Sequence, residues 1–314
     1  MSKARPNIGI VGLGFQGNNH AKALVEIGNP PTAVYDVQKE AVSKAASAYK
    51  AKPYYDYDSF LSDKSIDGVI IASPHSMHRD LTLKALEAGK HVLCEKPLAV
   101  SSKEAEEMVE ASRKYNRALL TGFNFRFHPA HKILKSMIDP RKLIGGWIMD
   151  ACSYLDMSPT YCSKRFGGGS LRTCHVHTID LVRWALGEVV EVESLTGIMK
   201  KNAETEDFSV TNLRLQSGSI VQIMGSWWHK VVWLTEVRLF FEDSVIEGKL
   251  GVRNMTSESS SIKQYSSDSV KEFIPVAYGS PPWKEFSQSI RDQAKNFENV
   301  IAGVEKPVAN GLDG

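Results

Sequence analysis

Ile8-Gly9-Ile10-Val11-Gly12-Leu13-Gly14-Phe15-Gln16-Gly17 is the stretch from which the rest of this 314-residue chain can be read. Its first four residues form a brief apolar run with β-branched side chains, which favours a buried strand over a helix. Three glycines follow directly, and then an apolar-periodic segment through Leu24 and Ile27. Glycine at Gly12 permits a tight turn, at Gly14 the close approach of a pyrophosphate, and at Gly17 close packing of helix on strand. The helix N-terminus offers free N–H groups and the positive end of its dipole to phosphates. A second strand is expected over Ala33-Val34-Tyr35-Asp36, and Asp36 lies about 20 residues beyond Gly17, the spacing of a ribose-binding acid. Together these features specify a dinucleotide site, with Phe15 and Gln16 inside its turn. Asp36 repels a 2′-phosphate and no arginine adjoins it, which favours NAD; Lys39 keeps NADP open.

The alternation continues downstream. Strands are expected over 67–72, 91–94 and 118–122, with helices over 77–88 and 102–115. Strands separated by helices of this length specify a parallel, doubly wound sheet, here an NAD(P)-binding Rossmann domain over residues 1–122. Such sheets bind ligands beyond the carboxyl ends of their strands. Ser73-Pro74-His75 and Glu95-Lys96-Pro97 each follow such an end. Ser73, Pro74, His78, Glu95 and Lys96 are therefore candidates against the cofactor. For His75 and His78 the alternative is an ordinary surface-loop histidine. Lys96 places a cation where it can polarise an alcohol or carbonyl oxygen.

After Phe123-Asn124-Phe125-Arg126-Phe127-His128-Pro129 the texture changes. A helix over 130–137 precedes alternating runs at 147–152, 189–196, 208–215, 220–226, 232–241 and 245–248. These runs predict an α+β domain over 123–314 with a large, mostly antiparallel open sheet, and Gln216-Ser217-Gly218 suits a hairpin turn. Trp227-Trp228 and Val231-Val232-Trp233 fit either a core or a contact between subunits. The serine-rich stretch 255–269 reads as a loop or a poorly ordered edge. Within Gly167-Gly168-Gly169-Ser170-Leu171-Arg172-Thr173-Cys174-His175-Val176-His177-Thr178-Ile179-Asp180, a helix is expected to begin near His177 and to end at Gly187. A histidine at the positive end of a helix is kept neutral and ready to accept a proton, and Asp180 in the first turn could orient the ring. The bland alternative is that His177 merely caps the helix.

Composition narrows the class. With 38 basic and 36 acidic residues the net charge is +2, which gives no reason to expect nucleic acid or a membrane surface as partner. No apolar run approaches the roughly 18 residues of a membrane span, and no signal peptide is evident. Cys94, Cys152, Cys162 and Cys174 form no Cys-x-x-Cys pair and read as free thiols of a cytoplasmic protein. Zinc held by Cys152, Cys162, Cys174, His175 and His177 is disfavoured by irregular spacing, so no metal is expected.

Taken together, the Gly12–Gly17 turn, Glu95-Lys96-Pro97, the Phe123–Pro129 segment and Gly167-Gly168-Gly169 leading to His177 and Asp180 resemble the glucose-fructose oxidoreductase / inositol dehydrogenase / rhizopine-catabolism protein (Gfo/Idh/MocA) family. The resemblance implies bound NAD or NADP, a sugar, sugar derivative or cyclitol substrate, and homodimers or homotetramers built through the open sheet. It also implies Lys96 and His177 as the catalytic pair. Arg126, Tyr161, Arg172, Thr173, His175 and Asp180 are candidates for the substrate pocket. Two departures stand out. The family commonly has aspartate where this chain has Thr173, and glycine where it has His175. A threonine hydroxyl does not stabilise a developing imidazolium as a carboxylate does, so either His175 or Asp180 takes that part or the chemistry changes. The chain also stops at Gly314 where relatives continue into another helix. The expected function is hydride transfer between nicotinamide and a hydroxyl-bearing carbon; the alternative is a non-catalytic NAD(P)-binding regulator.

Overall fold

The computed structural model describes residues 5–153, 163–200, 203–229, 232–254, 260–273 and 282–314. The chain divides into two units, residues 1–124 with 290–314, and residues 125–289.

The first unit carries six parallel strands: β1 (Ile8–Val11), β2 (Ala33–Tyr35), β3 (Lys52–Tyr54), β4 (Gly68–Ile71), β5 (His91–Cys94) and β6 (Leu119–Thr121), in the order β3-β2-β1-β4-β5-β6. The strands of β1 and β4 are buried along their whole length, as expected when helices cover both faces. The connecting helices are α1 (Phe15–Glu26), α2 (Lys39–Tyr49), α3 (Tyr57–Ser62), α4 (His78–Glu87) and α5 (Ser102–Tyr115). Ser101 caps α5 by accepting from the Glu104 N–H at 3.3 Å, and Asp56 caps α3 through the Ser59 N–H at 2.8 Å. The α2-β3-α3 passage leaves a faint trace in the sequence. Only Val42 and Ala45 are buried in α2, and β3 contains Pro53, which a strand tolerates at the sheet edge it occupies here. Residues 290–314 return to this unit, where Phe297 and Ile301 lie against Gly68 and Asn310 bridges to Leu120.

The second unit opens with α6 (Pro129–Met137) and carries an eight-stranded sheet. Its strands are β7 (Leu143–Ser153), β8 (Val189–Gly197), β9 (Phe208–Leu215), β10 (Ile220–His229), β11 (Val232–Phe241), β12 (Ser244–Asn254), β13 (Ser261–Ser266) and β14 (Val270–Phe273). The order is β14-β13-β12-β11-β7-β10-β9-β8, and every pair is antiparallel except β7 with β10. Two helices, α7 (Ser170–Thr173) and α8 (Val176–Ala185), follow β7, and α9 (Pro282–Ile301) leads back to the first unit. One sheet face is apolar: Ile148, Leu213, Leu215, Val221, Ile223, Val237, Leu239, Ile246 and Ile262 are buried with Ala130 and Leu134 of α6 and Leu181, Val182 and Ala185 of α8. The serine-rich stretch corrects one expectation, because Ser261–Ser266 is a strand paired to β12 rather than loop. Ile262, fully buried, supplies the inward contact that the polar composition hid. Trp227 is buried, which favours core for that residue, whereas Val231 and the side chains of Trp228, Val232 and Trp233 lie outside the described set. Among the described residues no helix is long and apolar enough to cross a membrane.

Candidate functional site

In the first unit the glycine turn lies between β1 and α1, next to the position where the strand order reverses, the usual ligand crevice of such sheets. Gly12 has φ +89, and a Cβ there would strike the Ala72 carbonyl at 2.6 Å. A Cβ on Gly17 would overlap the Gly12 carbonyl, whereas one on Gly14 would meet open space. The turn is therefore closed on the protein side and open at the N-terminus of α1. The Asp36 carboxylate accepts from the Leu13 N–H at 2.7 Å and from the Gln38 N–H at 2.8 Å, which fixes it beside the turn. Phe15 is exposed.

The loops after β4 and β5 come next. His78 is fully buried, with Nδ1 2.8 Å from the Pro97 carbonyl and Nε2 2.9 Å from the Ser73 carbonyl. Its ring thus joins the Ser73-Pro74 loop to the loop that carries Lys96. Burial lowers its pKa, with the two carbonyls pulling the other way. The Ser73 hydroxyl is buried with no hydrogen-bond partner among the described residues. Lys96 is half-buried directly after β5, and the Lys96–Pro97 peptide is cis. Glu95 faces inward: its carboxylate meets His20 Nε2 at 2.7 Å, accepts from Gln16 at 3.3 Å and takes the Lys96 N–H at 3.1 Å. Burial works to raise the Glu95 pKa, but the His20 hydrogen bond, the charges of His20 and Lys96 and that N–H outweigh it and hold it below the ordinary value. His20, which sequence reasoning did not single out, ties α1 to the lysine loop. A histidine among the buried positions of an otherwise apolar helix face was its only sign.

In the second unit the first turn of α8 gathers the remaining candidates. His177 is 3% exposed, and its ring lies flat on Phe125, with centroids 4.2 Å apart and planes at 14°. Asp180 is held by Arg126, whose Nε lies 3.0 and 3.1 Å from the two carboxylate oxygens and whose Nη2 lies 2.6 Å from one. Both partners are buried. His175 is fully buried, and its ring fills the space a Cβ on Gly225 would need. Burial pushes its pKa down against the opposing pull of Asp150. Asp150 on β7 accepts from Thr178 at 2.8 Å and Thr235 at 3.3 Å. Thr173 is buried, Arg172 is exposed, and Tyr161 lies outside the described residues. Among the described residues no three metal-type side chains come together.

A parallel sheet in this order, with an open glycine turn and a carboxylate fixed beside it, defines a dinucleotide-binding protein of the Rossmann class. Comparison with known proteins agrees. Residues 6–123 match the model described as "Oxidoreductase family, NAD-binding Rossmann fold", and residues 144–247 match the GFO/IDH/MocA C-terminal domain. The chain belongs to the Gfo/Idh/MocA family of oxidoreductases, and its first domain is an NAD-binding Rossmann fold. It is similar to myo-inositol 2-dehydrogenase of Thermotoga maritima, with 26% identity over 314 residues, covering 98% of this chain and 91% of that one. It is also similar to inositol 2-dehydrogenase of Salmonella typhimurium, with 32% identity over 187 residues, covering 57% of this chain and 54% of the relative. Among solved structures, an oxidoreductase from Agrobacterium radiobacter in complex with NAD+, L-tartaric acid and magnesium superposes with a TM-score of 0.86 at 18% identity, covering 99% of this chain and 92% of that one; this likeness concerns the fold.

Proposed function

We propose that this chain oxidises a secondary hydroxyl of a cyclitol, sugar or sugar derivative with NAD, or runs the reverse reduction. The hydroxyl proton passes to His177, the carbon gives hydride to the nicotinamide, and the Lys96 ammonium steadies the oxygen as it becomes a carbonyl. Thr173, His175, Arg126 with Asp180, Arg172 and Tyr161 are the assigned substrate-pocket residues, and the Ser73-Pro74 loop, Glu95, Gln16, Phe15 and Asp36 line the cofactor side. The observation that carries this reading is the buried His177 in the first turn of α8, in a chain whose other unit is an NAD-binding fold with a lysine at a strand's carboxyl end. The inositol dehydrogenases named above support a cyclitol as first choice.

Lys96→Ala and His177→Ala are each expected to abolish NADH formation with a panel of inositols and sugars while leaving NAD affinity within a few-fold. Tight NAD binding with no hydride transfer to any substrate by the unaltered protein would favour a non-catalytic cofactor-binding regulator instead.

The same reading includes a homodimer or homotetramer formed through the sheet face opposite the apolar one. Trp147, Ile220 and Phe240 are exposed on that face, beside the Arg214–Glu191 and Arg238–Glu247 ion pairs. Apolar groups alternating with both charge signs suit a second copy of the same surface. Light scattering should give a dimer or larger, and Trp147→Glu should reduce it to a monomer. The buried Cys94 thiol, which forms no disulfide, fits a reducing compartment such as the cytoplasm.

A further inference from the structure

A histidine that accepts a proton becomes a cation, and a cation in a buried site needs a stabiliser. Thr173, one turn before His177, carries no charge, and Asp180, three residues after it, is paired with Arg126 at 2.6 Å. What the His177 ring does meet face to face is the Phe125 ring, 4.2 Å away at 14°. An aromatic face is the negative region of the ring quadrupole and attracts a cation placed over it.

We propose that Phe125 is a positioning residue for the reaction: its face holds the His177 imidazole in one orientation and favours the protonated ring over the neutral one. This inference rests on His177 being the proton acceptor. Phe125 is itself held in place by histidines. His131 lies 5.0 Å from it at 47°, His128 lies 6.0 Å from it at 56°, and the two histidines meet edge to face at 5.0 Å. Burial keeps His128 and His131 neutral at neutral pH, so they support the platform without repelling a charged His177. Among the described residues, the ionisable groups on the segments around the start of α8 include Arg126 with Asp180, Cys174, His175 and Asp150, with exposed Arg172 on α7.

The test replaces the face while keeping the bulk. In the full-length protein, the His177 ring is followed by NMR with labelled histidine, its signal assigned by loss in His177→Gln. Phe125→Leu is expected to lower the His177 titration midpoint by about 0.5 to 1 pH unit, the size of a partly buried cation–π contact. The acid limb of kcat/KM should move down with it, and kcat should fall about ten-fold with the KM for NAD unchanged. Phe125→Trp should restore both. Fluorinated phenylalanines at position 125, which keep the ring's shape, should lower the midpoint stepwise with fluorine content, and they serve if the leucine variant does not fold. An unmoved midpoint across the fluorine series, or a rate loss in Phe125→Leu that Phe125→Trp does not recover, would overturn the inference. Full turnover by His177→Ala would instead remove the proposed acceptor, an outcome that the NMR titration of the stacked ring does not share.

Discussion

Asp36 and Gly17 are each constrained at the level of single atoms. The Asp36 carboxylate is fixed by two N–H groups of the chain itself, so its remaining lone pairs are presented in one direction. Asp36→Ala is expected to weaken NAD binding about 10- to 100-fold, the range of a hydrogen bond to a charged group. It should also raise NADP affinity relative to NAD, because the repulsion of a 2′-phosphate goes with the carboxylate; calorimetric titration of both nucleotides checks this. Gly17 is constrained from the opposite side. Gly17→Ala drives a methyl group into the Gly12 carbonyl, and relieving that overlap costs about 1–3 kcal/mol of stability. Thermal unfolding with and without NAD should show both a lower midpoint and a smaller rise on adding nucleotide, since the strain lies in the turn proposed to hold the phosphates.

At the scale of elements, the Arg126–Asp180 pair fastens the segment before α6 to α8. Removing one partner strands a buried charge, so Arg126→Ala is expected to destabilise the protein by about 3–5 kcal/mol. Arg126→Met with Asp180→Leu should cost less than either single charge deletion, and urea midpoints of the three variants decide it. The sequence named both residues as substrate-pocket candidates but could not show that they bind each other, because 54 residues separate them. Elements with a strong period were legible: α5 and β9 were read to the residue, since Ser101 and Glu104 mark one start and strict alternation marks the other strand. Elements whose burial depends on distant partners were not. Polar α2, the proline-bearing β3 and the serine-rich β13 each contribute one or two inward side chains, too few to set a period. The stacked Phe125 was likewise hidden, because Phe123, Phe125 and Phe127 are equivalent in sequence and all three are buried.

For the molecule as a whole, buried histidines dictate the response to acid. Burial lowers the pKa of His128 to about 4 and that of His131 well below the ordinary value. An unfolded chain binds those protons near pH 6.5, so between that pH and the folded-state values the unfolded form holds more protons. Stability is therefore complete above about pH 6.5 and falls as the pH drops, by about 1.4 kcal/mol per pH unit for each such histidine. Urea unfolding at pH 7, 6 and 5 should show this slope, and His131→Leu should flatten it. The first unit adds a constraint of another kind, because its sheet is completed by residues 290–314, with Phe297 and Ile301 against Gly68 and Asn310 beside Leu120. On a ribosome that extends the chain by about 5–20 residues per second, the N-terminal half waits roughly 10–40 s after its last strand has been made before its final contacts exist. The first unit is thus begun before the second and finished after it, and in that interval the surface around Gly68 and Leu120 stays uncovered.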